Sequence, residues 1–179
     1  MSTRLVILDR DGVINADSPD YIKNESEWKA LPGSLEAISR LNHAGYRVVV
    51  ISNQAGLGHG KFNIEQLNAI HQKLVTHLGQ FGGRIDAILF CPHTPAADCT
   101  CRKPKPGLYQ DLARRLGTSL AGVPAIGDKL TDIEAALAAG VKPMLVRTGH
   151  GKKLEQAGQV PPGVPVYDDL RAAVEALLC

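Results

Sequence analysis

Short runs of Val, Ile and Leu alternate along the chain with longer segments whose apolar residues recur every three or four positions. The runs Arg4–Leu8, Arg47–Ser52, Ile85–Cys91, Ala125–Gly127, Pro143–Arg147 and Val164–Tyr167 predict strands. Between them, Leu35, Ile38 and Leu41 share one helical face. So do Leu67, Ile70, Leu74 and Leu78, then Leu108, Leu112 and Leu116, and finally Ile133 and Leu137. Pro106 suits a first helical turn, and Gly45, Gly79, Gly117 and Gly140 stand where C-terminal caps belong. Strands alternating with helices in this way predict an α/β fold whose mostly parallel sheet is covered on both faces. No repeat, low-complexity tract or linker interrupts the pattern, so residues 1–179 read as one domain. In such folds ligands sit beyond the carboxyl ends of the strands.

Composition narrows the field. Hydrophobic residues make up 44% and charged residues 21%, as in an ordinary globular chain. The net charge of +2 gives no general grip on nucleic acid or membrane, and 4% aromatics leave little for stacking on bases. No apolar run reaches the roughly 18 residues of a membrane span. The apolar stretch Leu5–Leu8 is far shorter than the roughly 7–15 residues at the centre of a signal peptide. These features predict a cytoplasmic protein, and no long apolar surface pattern calls for more than a monomer.

Polar, reactive residues follow the predicted strands. The first strand ends in Asp9-Arg10-Asp11-Gly12, the second in Ser52-Asn53-Gln54, and the fourth in Gly127-Asp128-Lys129 with Asp132 one turn on. Lys103 lies in a segment stiffened by Pro104 and Pro106. Each motif alone has an ordinary use: aspartates make turns, Asp128 can cap a helix, and most lysines are merely solvated. Together they place hard oxygen ligands, a hydroxyl and a cation on one rim. Such carboxylates suit Mg²⁺, which keeps water positions open for substrate phosphate. The joint pattern predicts phosphoryl chemistry.

A second cluster comprises Cys91, His93, Cys99 and Cys101, three thiols and an imidazole within residues 91–101. That donor set fits a closed tetrahedral Zn²⁺ site, which would be structural because no position is left open. The alternative is a group of free, reduced cysteines. Cys179 is too remote in sequence to belong.

In order, Asp9-Arg10-Asp11-Gly12, Ser52-Asn53, a downstream lysine and Gly127-Asp128 resemble the four motifs of the haloacid-dehalogenase-like (HAD-like) phosphatases. The zinc loop running into Cys101-Arg102-Lys103-Pro104 resembles the branch that holds heptose-bisphosphate and histidinol-phosphate phosphatases. The resemblance implies a three-layer flavodoxin-like sandwich, with Asp9 as nucleophile and Asp11 as general acid and base. Ser52 and Lys103 would stabilise the phosphoryl group, and Asp9, Asp11 and Asp128 would ligate Mg²⁺. Asp132 would act through a water or simply as a first-turn helix acid. Only 40 residues separate Asp11 from Ser52, so the member is expected to be capless. A general acid must start protonated, which predicts a raised pKa for Asp11. Expected substrate contacts are Asp17, Asp20, Ser52, Asn53, Gln54, Arg102, Lys103 and Lys129. Arg102 is placed to fork onto a remote phosphate. The implied reaction is removal of the C7 phosphate of D-glycero-D-manno-heptose 1,7-bisphosphate, supplying heptose 1-phosphate to lipopolysaccharide synthesis. Histidinol phosphate is the alternative substrate, and a non-catalytic zinc-loop binding module the remote one. His43, His59, His71, His77 and His150 receive no task.

Overall fold

The computed structural model describes residues 4–179, so residues 1–3 of the predicted domain lie outside the described residues. Six strands form one sheet: β1 (Leu5–Leu8), β2 (Arg47–Asn53), β3 (Ala87–Cys91), β4 (Pro124–Gly127), β5 (Lys142–Val146) and β6 (Val166–Tyr167). Their spatial order is β3-β2-β1-β4-β5-β6, and every pair is parallel. The chain therefore steps outward from β1 through β2 to β3, then returns to β4 on the other side of β1. That reversal leaves a crevice at the carboxyl ends of β1 and β4. Leu8 pairs with both Val50 and Ile126, so the three segments that follow leave the sheet at one rim.

The core follows from the period of two along each strand. Val6, Leu8, Val48 and Val50 face one layer. There they meet α1 (Ser34–His43), α3 (Ile64–Gln80) and α7 (Leu170–Leu178) through Leu35, Ile38, Leu41, Ile70, Leu74, Leu78, Leu170 and Val174. Leu5, Ile7, Val49 and Ile51 face the other layer, where α4 (Gly107–Leu116) and α5 (Leu130–Ala138) pack through Leu108, Leu112, Ala135 and Ala136. This is the three-layer arrangement that the sequence predicts. α2 (Ala55–Gly58) and α6 (Gly151–Gln156) are short and sit at the rim.

Two local expectations fail. Gly79 does not cap a helix: α3 continues to Gln80, and the left-handed turn falls at Gly82. Ile133 packs with Leu145 and Leu154, but Leu137, one turn on, is 51% exposed. Between Asp11 and Ser52 the regular elements are α1 and β2 alone, so no cap domain covers the rim. The long connection before α1 is held down instead by Val13, Ile14, Ile22 and Trp28, all buried in the core. Among the described residues no helix is long and apolar enough to cross a membrane.

Candidate functional site

A cavity of about 480 Å³ opens at this rim, lined among others by Asp9, Asp11, Asp17, Asn53, Gln54, Arg102, Lys103, Lys129 and Asp132. Its floor is a buried ionic network. The Lys103 ammonium lies 3.1 Å from Asp9 Oδ1 and 2.7 Å from Asp132 Oδ1, and donates to the Ile51 carbonyl at 2.8 Å. Asn53 fixes the lysine from outside. Its amide donates to the Lys103 carbonyl and accepts from the Lys103 N–H, both at 3.0 Å. Burial disfavours the charge on Lys103, but Asp132 and Asp9 outweigh it and hold the ammonium above the usual lysine range. Asp132 also accepts from the backbone N–H groups of Asp128 and Lys129, so it both starts α5 and aims Lys103.

Asp128 hangs from the end of β4. Its carboxylate accepts from the His150 N–H at 2.9 Å and contacts the Lys129 ammonium at 3.0 and 3.2 Å. Two glycines leave room for it: a Cβ on Gly12 would lie 2.2 Å from Asp128 Oδ2, and one on Gly149 would lie 2.1 Å away. Both have positive φ, so a side chain there would clash and strain the backbone. Lys129 Nζ is also 3.4 Å from the Asp11 carbonyl. Oxygens of Asp9, Asp128 and Asp132 lie within 4.8 Å of one another. The set of hard oxygens fits Mg²⁺, and the ammonium groups of Lys103 and Lys129 lie against it. The Asp11 carboxylate is not among these oxygens; it is held by Arg10, Asn15 and Gln54.

Burial and the charge of Asp132 push Asp9 up to about 6, and burial pushes Asp128 up to about 8. A carboxyl group whose folded pKa is raised keeps a proton that the unfolded chain releases. Its contribution to stability therefore falls as pH rises from about 4 towards 8. A divalent ion relieves that cost only where the carboxylates must be charged. The melting temperature is thus expected to rise by about 5–10 °C on adding Mg²⁺ at pH 8, at a hundredfold excess over its Kd. At pH 5 the rise should be at most half as large. Thermal melts at both pH values check this.

Asp11 departs from expectation. Burial acts to raise its pKa, but the Arg10 guanidinium and hydrogen bonds from Asn15, Arg10 and Gln54 outweigh it and hold the group below the usual carboxylate range. The predicted rise is therefore reversed in this state. The cause is local: Arg10 Nη2 donates to both Asp11 oxygens, at 2.7 and 3.0 Å.

The other residues singled out from the sequence divide. Ser52 is buried beneath the cavity wall and accepts from Gln54 Nε2 at 2.8 Å. Asp17 reaches the mouth, 3.1 Å from Lys129 Nζ and 3.3 Å from His150 Nε2. Arg102 lines the wall and donates to the His93 carbonyl at 3.4 Å. Asp20 is not part of the wall: it pairs with Lys23 three residues on and faces solvent. Tyr21, His59 and His150 also line the cavity. Tyr21 has a left-handed backbone, φ 62°, and its ring lies 6.1 Å from that of His59. No residue pattern in the sequence announced this pairing.

Beside the cavity, Cys91, His93, Cys99 and Cys101 turn their donor atoms towards one point. Sulfur–sulfur separations are 3.2–3.5 Å, and His93 Nδ1 is 3.3 Å from Cys101 Sγ. A tetrahedral zinc ion with bonds of about 2.3 Å to sulfur and about 2.1 Å to nitrogen needs edges of about 3.5–3.8 Å, so the donors need only spread slightly. Burial and its hydrogen bond with Cys101 push the Cys91 thiol up to about 12, so metal binding must expel a proton there.

Comparison with known proteins gives the following. A family profile described as HAD-hydrolase-like matches residues 100–173, and one described as polynucleotide kinase 3 phosphatase matches residues 5–126. The chain is 53% identical over 175 residues to the D-glycero-beta-D-manno-heptose-1,7-bisphosphate 7-phosphatase of Bordetella bronchiseptica, covering 98% of each chain. The protein of the same name from Pseudomonas aeruginosa is 44% identical, with 99% of each chain covered. The crystal structure of D,D-heptose 1,7-bisphosphate phosphatase from B. bronchiseptica complexed with magnesium and phosphate matches with a TM-score of 0.96, at 53% identity and 98% coverage of each chain. The corresponding phosphatase from Burkholderia thailandensis gives a TM-score of 0.77 at 48% identity, again over 98% of each chain.

Proposed function

Because the chain belongs to the D-glycero-beta-D-manno-heptose-1,7-bisphosphate 7-phosphatase family of HAD-like hydrolases, we propose that Asp9 carries the phosphoryl group and Asp11 moves the proton during removal of the sugar's C7 phosphate. The protein is a phosphoric monoester hydrolase. The observation that carries the assignment of roles is the position of Asp9, buried at the centre of the rim with Lys103 against one oxygen.

Asp9 attacks the phosphorus in line with the leaving sugar oxygen and forms an aspartyl-phosphate. Lys103, aimed by Asp132 and anchored by Asn53, neutralises the equatorial oxygens. Asp11 donates a proton to the leaving alkoxide, then takes one from the water that hydrolyses the intermediate. Asp9, Asp128 and the Asp11 carbonyl would hold Mg²⁺, which when bound offsets the repulsion between the phosphate and an anionic nucleophile. Cys91, His93, Cys99 and Cys101 would hold Zn²⁺, which ties down a loop with almost no core of its own. Thiols kept reduced for that purpose go with a cytoplasmic location.

At the mouth, Arg102 is the cation for a second phosphate, since Lys129 is already held by Asp128 and Asp17. Asp17, the carboxylate that a histidinol amine would need, is already engaged by Lys129 and His150. The relatives' names leave the histidinol-phosphate reading and the non-catalytic zinc module without support. Arg102→Ala is expected to lower kcat/KM for the bisphosphate about 10–100-fold, the cost of one charged hydrogen-bonded contact. A monophosphate of the same sugar should change by less than about threefold. Equal losses on the two substrates would remove Arg102 from the second phosphate.

A further inference from the structure

Arg10 lies between the two catalytic aspartates and is 0% exposed, yet the chemistry above gives it no task. A buried guanidinium is costly unless its donors are matched. Here they are. Nε donates to Asp11 Oδ1 at 3.0 Å, and Nη2 donates to both Asp11 oxygens. Nη1 turns the other way, to His71 Nε2 at 3.2 Å.

His71 comes from α3, between Ile70 and Leu74, which are anchored in the core. Its ring stands 6.1 Å from Phe90 of β3, tilted by 56°. Burial and the neighbouring guanidinium take its pKa down to about 4. The neutral ring carries its hydrogen on Nδ1 and offers Nε2 as an acceptor. His71 does not line the cavity, so it reaches the reaction only through Arg10.

We infer that His71 and Arg10 form a positioning relay, in which a helix outside the cavity sets the orientation of the Asp11 carboxylate. This rests on the role proposed for Asp11. Arg10, Asn15 and Gln54 together engage both Asp11 oxygens, so these donors fix where the carboxyl group stands. Protonated Asp11 gives its proton to the sugar oxygen as the P–O bond breaks, and the fork closes on the resulting carboxylate. Water then attacks the phosphoryl group and returns a proton to Asp11. Arg10, braced from behind, fixes where the carboxylate stands at each stage. Without His71, Nη1 loses its acceptor and the fork loses its bearing.

The test is steady-state kinetics on two substrates. The sugar bisphosphate has an alkoxide leaving group that needs a proton; acetyl phosphate has a carboxylate leaving group that does not. His71→Leu should lower kcat/KM for the sugar about tenfold, a fraction of the 10²–10⁴ that general acid–base catalysis supplies, and leave acetyl phosphate within about twofold. His71→Gln, which restores an acceptor for Arg10, should recover at least about half of the loss. If His71→Leu misfolds, Arg10→Lys, which keeps the charge but not the fork, should give the same split between substrates. Equal losses on both substrates with no recovery by glutamine, or no loss at all, overturn the relay. Asp11→Asn separates the two claims. Full turnover in that variant ends the role of Asp11 and the relay with it; an inactive Asp11→Asn beside a wild-type His71→Leu ends the relay alone.

Discussion

Asp9→Asn should release phosphate at least about 10⁴-fold more slowly than the native protein, because the amide cannot form the covalent intermediate. The fold should survive. Asparagine keeps an oxygen to accept from Lys103, and that lysine retains Asp132 and the Ile51 carbonyl. Removing the charge also relieves a site where burial and Asp132 already push Asp9 towards its neutral form. The melting temperature should therefore be unchanged or slightly higher without Mg²⁺. Phosphate release and thermal melts on the same preparation test both parts. Turnover within about tenfold of native, from a folded variant, would remove Asp9 from the chemistry.

Cys101→Ser should strip the zinc and take activity with it. Cys91 is buried against the core beside Leu108 and Leu112, whereas Pro95–Ala97 and Asp98 are exposed and bury almost nothing. Metal bonds to the four donors would thus be the main force that folds this loop. Arg102 and Lys103 follow Cys101 directly, so slack in the loop displaces both. We expect zinc content to fall from one per chain to about a tenth of that or less, and the melting temperature to drop by about 10 °C or more. The kcat/KM should fall about 10–100-fold. Cys179→Ser, at the exposed end of α7, is the control and should change none of these. Elemental analysis, melts and kinetics on the two variants decide the matter. A Cys101→Ser protein that keeps its zinc contradicts the ligand set.

Much of this architecture is legible in the chain because strands of a parallel sheet advertise themselves twice. Val48-Val49-Val50-Ile51 is apolar on both faces, and the next residue leaves the sheet at a known rim. Asp9, Ser52 and Asp128 can be placed together from that alone, and the zinc donors from their spacing. The rim's finer structure cannot. Asp132 reads as a helix acid or a water-mediated ligand, and only the fold shows it aiming Lys103. Asn53 reads as a substrate contact, but both ends of its amide are used on the Lys103 backbone. Asp20 reads as a sugar contact, but Lys23, three residues on, holds it at the surface. The state of Asp11 depends on Arg10, its neighbour in sequence, and Arg10 is in turn directed by His71, 61 residues away. Such reversals arise where a side chain has two possible partners and tertiary packing chooses.

The account turns on a phosphoryl group passing through Asp9. Rapid acid quenching during turnover, followed by peptide mass spectrometry, observes it directly. The prediction is the mass of one phosphoryl group on the peptide that contains Asp9 and none in Asp9→Asn; Asp11→Asn fed acetyl phosphate, whose leaving group needs no proton, should carry more of it than the native protein. A phosphoryl group on any other residue, or an unmodified protein throughout turnover, would contradict it.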